Sequence, residues 1–344
     1  MKKLLYIASA AFIACGSSKE TTGVDNDPSV DYAAKFAKTI TAKDLGKHLF
    51  VYASDEFEGR DTGEPGQKKA VNYLKDFYIS QGIQSPLGGD DYFQEIPSAY
   101  LSSNRRGRVL KDSENVLAFI KGTEKPDEIV VISAHLDHEG VKNGKIYNGA
   151  DDDGSGTVAI LEIAEAFKKA ADAGKGPKRS VLFLHVTGEE KGLLGSKYYT
   201  ENPVFPLANT VADLNIDMVG RVDERHKGNP NYVYLIGSDK LSTELHNISE
   251  AMNTKYTKID LDYKYNDDND PNRFYYRSDH YNFAKHNIPI IFYFNGTHAD
   301  YHQPTDTPDK INYEMLENRA RLVFYTAWEV ANRENRITVD KIEE

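Results

Sequence analysis

The sequence predicts an α/β fold: a single domain whose mixed, largely parallel central β-sheet is flanked by helices. Two observations carry this. First, between Val116 and Phe294 short runs dense in Val, Ile, Leu and Phe alternate with segments of helical periodicity. Runs that are apolar throughout, instead of at every second residue, suit strands covered on both faces, and helices between them imply parallel neighbours. Second, neither an internal repeat nor a convincing boundary interrupts residues 31–335. A chain of 344 residues with 40% hydrophobic content can bury one full core.

The elements follow in order. Helical periodicity begins at Tyr32. Thr41 and Asp44 form a capping pair ahead of Leu45, Leu49 and Tyr52, spaced i, i+4, i+7. A second amphipathic helix follows Pro65, with Ala70, Tyr73, Leu74, Phe77 and Tyr78 on one face and Gly82 as its stop. After a loop-rich stretch, Val116–Ile120 and Ile129–Ala134 read as strands. Ile160, Leu161, Ala164 and Phe167 mark a helix. Val181–Val186 is a strand and Leu193–Tyr199 a short helix; Val211–Ile216 and Tyr232–Ile236 are strands and Leu241–Met252 a helix. Ile288–Phe294 is the last strand, Leu316–Val330 the closing helix, and 336–344 a charged tail.

The first residues carry a separate signal. Lys2 and Lys3 precede an apolar stretch from Leu4 to Ala14, too short to span a bilayer as a mature helix but suited to a signal-peptide core over 1–14. Ile13-Ala14-Cys15-Gly16 resembles the lipidation site of a bacterial lipoprotein, with residues 15–30 as a polar tether. The expected location is therefore the cell envelope, lipid-anchored in the outer membrane or periplasm, or the exterior. Cys15 is the one cysteine, so no intramolecular disulfide forms and any metal site must use His, Asp and Glu. The net charge of −11 argues against a nucleic-acid partner. Oligomeric state is not legible.

Polar residues cluster just beyond the carboxyl ends of four apolar runs. Ile129–Ala134 leads into His135-Leu136-Asp137-His138, and Val181–Val186 into Thr187-Gly188-Glu189-Glu190. Val211–Ile216 ends at Asp217, and Ile288–Phe294 is followed by Tyr301-His302. Ligands of open α/β sheets bind at that edge. Taken singly, each piece has a plainer explanation. His135 and Asp137 could be an unrelated pair, or a metal ligand with a carboxylate that orients its ring. Glu189-Glu190 could be an acidic helix start. Asp151-Asp152-Asp153 before Gly154-Ser155-Gly156 could cap a helix, yet three adjacent carboxylates repel unless a cation draws them together. Asn266–Asp270 is crowded with acids and amides but lacks the Gly and terminal Glu of an EF-hand, and reads as a surface loop near the site.

Together these blocks, with Asn148-Gly149-Ala150, Gly192-Leu193, Gly195-Ser196, Asn215-Ile216-Asp217-Met218 and Tyr301-His302-x-Pro304-x-Asp306, resemble the co-catalytic zinc aminopeptidase family. That family also contains glutamate carboxypeptidases and glutaminyl cyclases. The resemblance implies a zinc exopeptidase-like fold and two zinc ions, for which cobalt or manganese could substitute. It implies that His135 and Asp217 bind one ion, Glu190 and His302 the other, and Asp152 both. Glu189 matches the general base, Tyr301 the phenol facing the oxyanion, and Asp137 the partner of the first histidine. Arg277, Ser278 and Asp279 match a block that supports substrate and the second ion. The implied activity is removal of N-terminal residues from peptides with a free N-terminus. Cyclase or carboxypeptidase chemistry, or a non-catalytic surface-binding relative, stands as the alternative.

Overall fold

Asp31 opens the fold by capping its first helix. Its carboxylate accepts a hydrogen bond from Ala34 N (3.0 Å) at the start of α1 (Tyr32–Ala37). Thr41 caps α2 (Ala42–Tyr52) reciprocally: Asp44 N donates to Thr41 Oγ1 (3.1 Å) and that hydroxyl donates to Asp44 Oδ2 (2.8 Å). α3 (Pro65–Gln81) starts on a proline, whose missing N–H would be unpaired there anyway, and stops at Gly82 with φ +64°. These ends match the sequence reading. The computed structural model describes residues 29–102 and 109–341. The expected signal peptide, Cys15 and the tether up to residue 28 lie outside the described residues.

The chain then alternates. β1 (Phe93–Ile96), α4 (Ser98–Ser102), β2 (Ser113–Ile120) and β3 (Lys125–His135) precede a small hairpin, β4 (Gly140–Lys142) and β5 (Lys145–Tyr147). α5 (Gly156–Asp172), β6 (Arg179–Val186), α6 (Leu194–Glu201), β7 (Thr210–Ile216) and β8 (Tyr232–Ile236) follow. α7 (Thr243–Met252), β9 (Asp260–Asp262), α8 (His280–Ala284), β10 (Ile290–Phe294) and α9 (Tyr313–Asn332) complete it. The main sheet runs β1-β2-β6-β3-β7-β10-β8-β9. Its four central strands, β6, β3, β7 and β10, are mutually parallel; β1 with β2, β2 with β6 and β8 with β10 pair antiparallel, and β9 joins β8 in parallel.

Continuous apolar runs feed two cores because successive side chains leave a strand on opposite faces. Val130, Ile132 and Ala134 of β3 join the core under α1, α2, α3, α5 and α9, whereas Ile129 and Val131 join the one packed by Tyr199 and Phe283. The sheet is thus covered on both sides. β1 and β9 escaped the sequence reading because both are short, polar edge strands (Phe-Gln-Glu-Ile and Asp-Leu-Asp), fixed by pairing with a neighbour instead of by a pattern of their own. The charged tail is docked as far as residue 341: Ile337 is buried, and Asp340 Oδ1 accepts from Thr243 N (2.9 Å). Among the described residues no helix is long and apolar enough to cross a membrane.

One buried cation ties the loops at the sheet's carboxyl edge. Arg60 is fully buried, and its guanidinium donates to the carbonyls of Leu136 (3.1 Å), Tyr52 (3.1 Å), Asn148 (2.7 Å) and Gly149 (2.8 Å). The fixed fork of an arginine suits this role, since it reaches several acceptors at once.

Candidate metal centre

The four parallel strands end at one edge. β3 terminates on His135; β6 is followed by Glu189 and Glu190, β7 by Asp217, and β10 by the loop carrying Tyr301 and His302. Asp152, in the turn before α5, completes the group. His135 Nε2 lies 3.1 Å from Asp152 Oδ1 and 3.6 Å from Asp217 Oδ1. His302 Nε2 lies 3.1 Å from Asp152 Oδ2 and 3.3 Å from Glu190 Oε2. The two oxygens of Asp152 therefore face two different histidines. All five residues named from the sequence as metal ligands come together here. Met218 (φ +58°) and His302 (φ +54°) take the left-handed conformation beside the centre. Such geometry costs non-glycine residues of order 1–3 kcal/mol and persists where the surroundings impose it.

The three consecutive aspartates have separate tasks, which composition alone could not reveal. Asp151 accepts from Gly220 N (2.7 Å) and pairs with His298 Nε2 (3.0 Å), binding the loops after β7 and β10 to this turn. Asp152 faces the histidines. Asp153 turns back, accepting from Gly156 N (2.9 Å), Met218 N (3.0 Å) and His135 N (3.3 Å). Asp306, quoted in the sequence motif without a role, holds the turn from outside: its Oδ2 accepts from Asp151 N (3.0 Å) and Asp152 N (3.2 Å).

Two expectations need correction. The ring of His135 is set by the backbone carbonyl of Asp137, 3.0 Å from Nδ1, and not by its carboxylate, whose Oδ1 is 3.9 Å away. That carboxylate instead accepts from Glu189 N (3.1 Å) and Thr62 Oγ1 (2.7 Å), so Asp137 positions the Glu189 loop. Of the three residues expected on the substrate side, only Arg277 lines the cleft. Ser278 and Asp279 are buried behind it: Ser278 donates to Asp217 Oδ2 (2.6 Å), and Asp279 accepts from Ser196 Oγ. Both sit in the short connection between the 3-10 turn Phe274–Tyr276 and α8, where the chain turns into the interior.

The electrostatics of the cluster call for a cation. Burial opposes charge on His135, yet Asp217 and Asp152 hold its pKa well above the ordinary imidazole value. Burial likewise works against His302, but Asp152 and Glu190 raise it to about 10. Burial resists ionisation of Glu190 too, and is overcome by His138 and His302, which lower its pKa well below normal. For Glu189 burial prevails: reinforced by Glu190 and Asp217 against His135, it pushes the carboxyl well above its usual range. Meanwhile His135 Nε2, Asp152 Oδ2, Glu190 Oε1 and both ring nitrogens of His138 are buried without a hydrogen-bond partner. Orphaned polar atoms of this kind are costly, and so many at one spot fit a ligand set. Three groups of three donors, His135–Asp152–Asp217, His138–Asp152–Glu190 and Glu139–Glu190–His302, each have their atoms within 4.8 Å of one another. Imidazole and carboxylate donors without thiolate suit zinc.

Beside this cluster opens a narrow cleft. Asp152, Glu189, Asp217 and His302 form one side, Tyr301 and Arg277 the rim, and Met218, Phe274, Phe292 and Phe294 the apolar wall. Tyr301 stacks on His302 (4.0 Å between centroids), and its hydroxyl lies 3.5 Å from Arg277 Nη2. The acidic run at 266–270 helps shape this wall. Asp270 caps the turn that delivers Phe274, accepting from Phe274 N (3.0 Å) and Asn272 N (3.1 Å). No His/Cys/Asp/Glu group suited to a metal forms in that run among the described residues.

Fold and site together define a class: an α/β protein with a carboxylate–histidine metal centre at the carboxyl edge of four parallel strands. Residues 115–327 match peptidase family M28, and the chain belongs to that family. It is 26% identical over 327 residues to leupeptin-inactivating enzyme 1 of Streptomyces exfoliatus, covering 88% of this chain and 64% of that protein. It is 31% identical over 224 residues to a probable leucine aminopeptidase of Trichophyton verrucosum, covering 63% of this chain and 57% of the relative. The chain thus spans less than two thirds of the length of these curated relatives. Among solved structures, a zinc aminopeptidase from Bacillus subtilis superposes with a TM-score of 0.64 at 17% identity, covering 89% of this chain and 98% of that one. This last likeness concerns the fold.

Proposed function

We propose that the protein is an aminopeptidase that works with two zinc ions, one held by His135 and Asp217, the other by Glu190 and His302, with Asp152 shared. The observation that carries this reading is the placement of Glu189, a half-buried carboxylate outside the ligand set, in the lining of the same cavity as Asp152 and Asp217. Zinc supplies Lewis acidity toward a carbonyl and lowers the pKa of water. Glu189 takes the proton of the attacking water and delivers it to the leaving amine. Tyr301 donates toward the oxyanion that develops on the scissile carbonyl. The aromatic wall receives the side chain of the residue being removed, so large apolar N-terminal residues are the favoured substrates. The carboxylates around the cleft attract an α-ammonium group.

The activity family relatives carry in their names supports this direction, and a dipeptide series tests it. Free-amine substrates with Leu or Phe in first position are cleaved, their N-acetylated twins are not, and a chelator abolishes cleavage until zinc is restored. Cleavage of the acetylated twins would instead favour a carboxypeptidase, with Arg277 holding the terminal carboxylate. We propose too that the chain is exported and tethered at the cell envelope through lipidated Cys15, on the strength of the Leu4–Ala14 core and the residues around the cysteine. Cys15→Ser then shifts the protein from the membrane to the soluble fraction; unchanged fractionation would refute the tether.

A further inference from the structure

The inference drawn here rests on the two-zinc reading: we propose that His138 is an additional ligand of the ion between Glu190 and His302. That position is then held by four side chains, Asp152, Glu190, His302 and His138, and the position beside His135 by three.

His138 is fully buried, and neither of its ring nitrogens has a hydrogen-bond partner. A buried N–H or lone pair left unpaired costs about 1–3 kcal/mol, so the fold pays for this ring twice over unless something else engages it. Its Nδ1 lies 2.8 Å from Glu190 Oε1 and 3.8 Å from Asp152 Oδ2. The shorter contact is not aligned as a hydrogen bond, since both atoms are unpartnered. The nitrogen and the carboxylate oxygen therefore aim past each other, as two donors do when they converge on a third position. Donor atoms bound to one tetrahedral zinc sit about 3.3 Å apart, given bond lengths of about 2.0–2.1 Å, and the two separations bracket that spacing.

The ring is closely enclosed. It packs on Gly149, which has φ +54°, and a Cβ there would collide with the ring Cγ and Cδ2. His138 N donates to Arg60 O (3.3 Å), and the ring edge meets His302 at 5.8 Å between centroids. His135 and His138, three residues apart at the end of β3, thus serve different ions. The carbonyl of Asp137 between them fixes the first ring. The site with four ligands is the tighter of the two, whereas three protein ligands on the His135 side leave coordination open for water and substrate.

The test uses the folded chain with isotope-labelled histidine, loaded with NMR-active cadmium, a zinc analogue whose nuclear spin couples to each nitrogen it binds. Three imidazoles, those of His135, His138 and His302, are expected to show coupling, His138 through Nδ1. His138→Ala removes one of the three and weakens one of the two zinc sites at least about tenfold in competition with a chromophoric chelator. Two bound ions with only two coupled imidazoles, unchanged in His138→Ala, would overturn this assignment and leave the two-zinc reading standing. Failure of the native chain to bind metal would overturn both. The spectrum of the native chain decides the matter even if the variant folds poorly.

Discussion

Glu189→Gln lowers kcat by roughly three to four orders of magnitude while bound zinc and the folded state stay as in the native chain. The carboxamide keeps the size of the side chain but cannot accept the proton of the attacking water. Its backbone is held independently, through the bond from Glu189 N to Asp137 Oδ1, so the loop keeps its place. Neither group of potential metal donors that contains Asp152 includes Glu189. The two measurements are therefore expected to separate: turnover of a Leu or Phe dipeptide collapses, and metal content by elemental analysis does not. Near-native turnover would remove Glu189 from the mechanism. Loss of zinc in parallel would make it a ligand instead of a base.

The contrast with Asp137 shows what spacing conveys and what it leaves out. The pattern His135-x-Asp137 was one of several polar groups at strand ends that together pointed to the centre. Which atom of Asp137 acts on the ring depends on backbone direction beyond β3, and there the carbonyl turns toward Nδ1 while the carboxylate reaches Glu189 N. The same limit hid the division of labour among Asp151, Asp152 and Asp153, whose three directions are set by the turn before α5. Strand ends were legible because continuous apolar runs are unambiguous. The cavity wall was not: Phe274, Phe292 and Phe294 come from a loop and a strand that meet only in the folded chain, and nothing local distinguishes them from core phenylalanines. His138 was visible as a letter beside the motif. Its burial and the lack of hydrogen bonds at its ring nitrogens are properties of the loops that enclose it.

If two ions are held as proposed, Asp152→Asn is expected to weaken both at once. Asp152 is the residue whose two oxygens face two histidines, His135 at 3.1 Å from Oδ1 and His302 at 3.1 Å from Oδ2. A carboxamide offers one acceptor and turns an N–H₂ donor toward the other histidine, so one ion loses a ligand and the charge shared by both is gone. Each affinity should fall by at least about a hundredfold, since even substitutions beyond the ligands themselves cost 10–100-fold. Turnover falls with occupancy. Asp217→Asn provides the comparison, because Asp217 contacts His135 alone among the two histidines and should weaken a single ion. Competition titration with a chelator resolves the cases: two weakened sites in Asp152→Asn and one in Asp217→Asn. A single weakened site in both variants would mean that Asp152 serves one ion only, and that the second zinc is held by the carboxylate of Glu190 and the imidazoles around it.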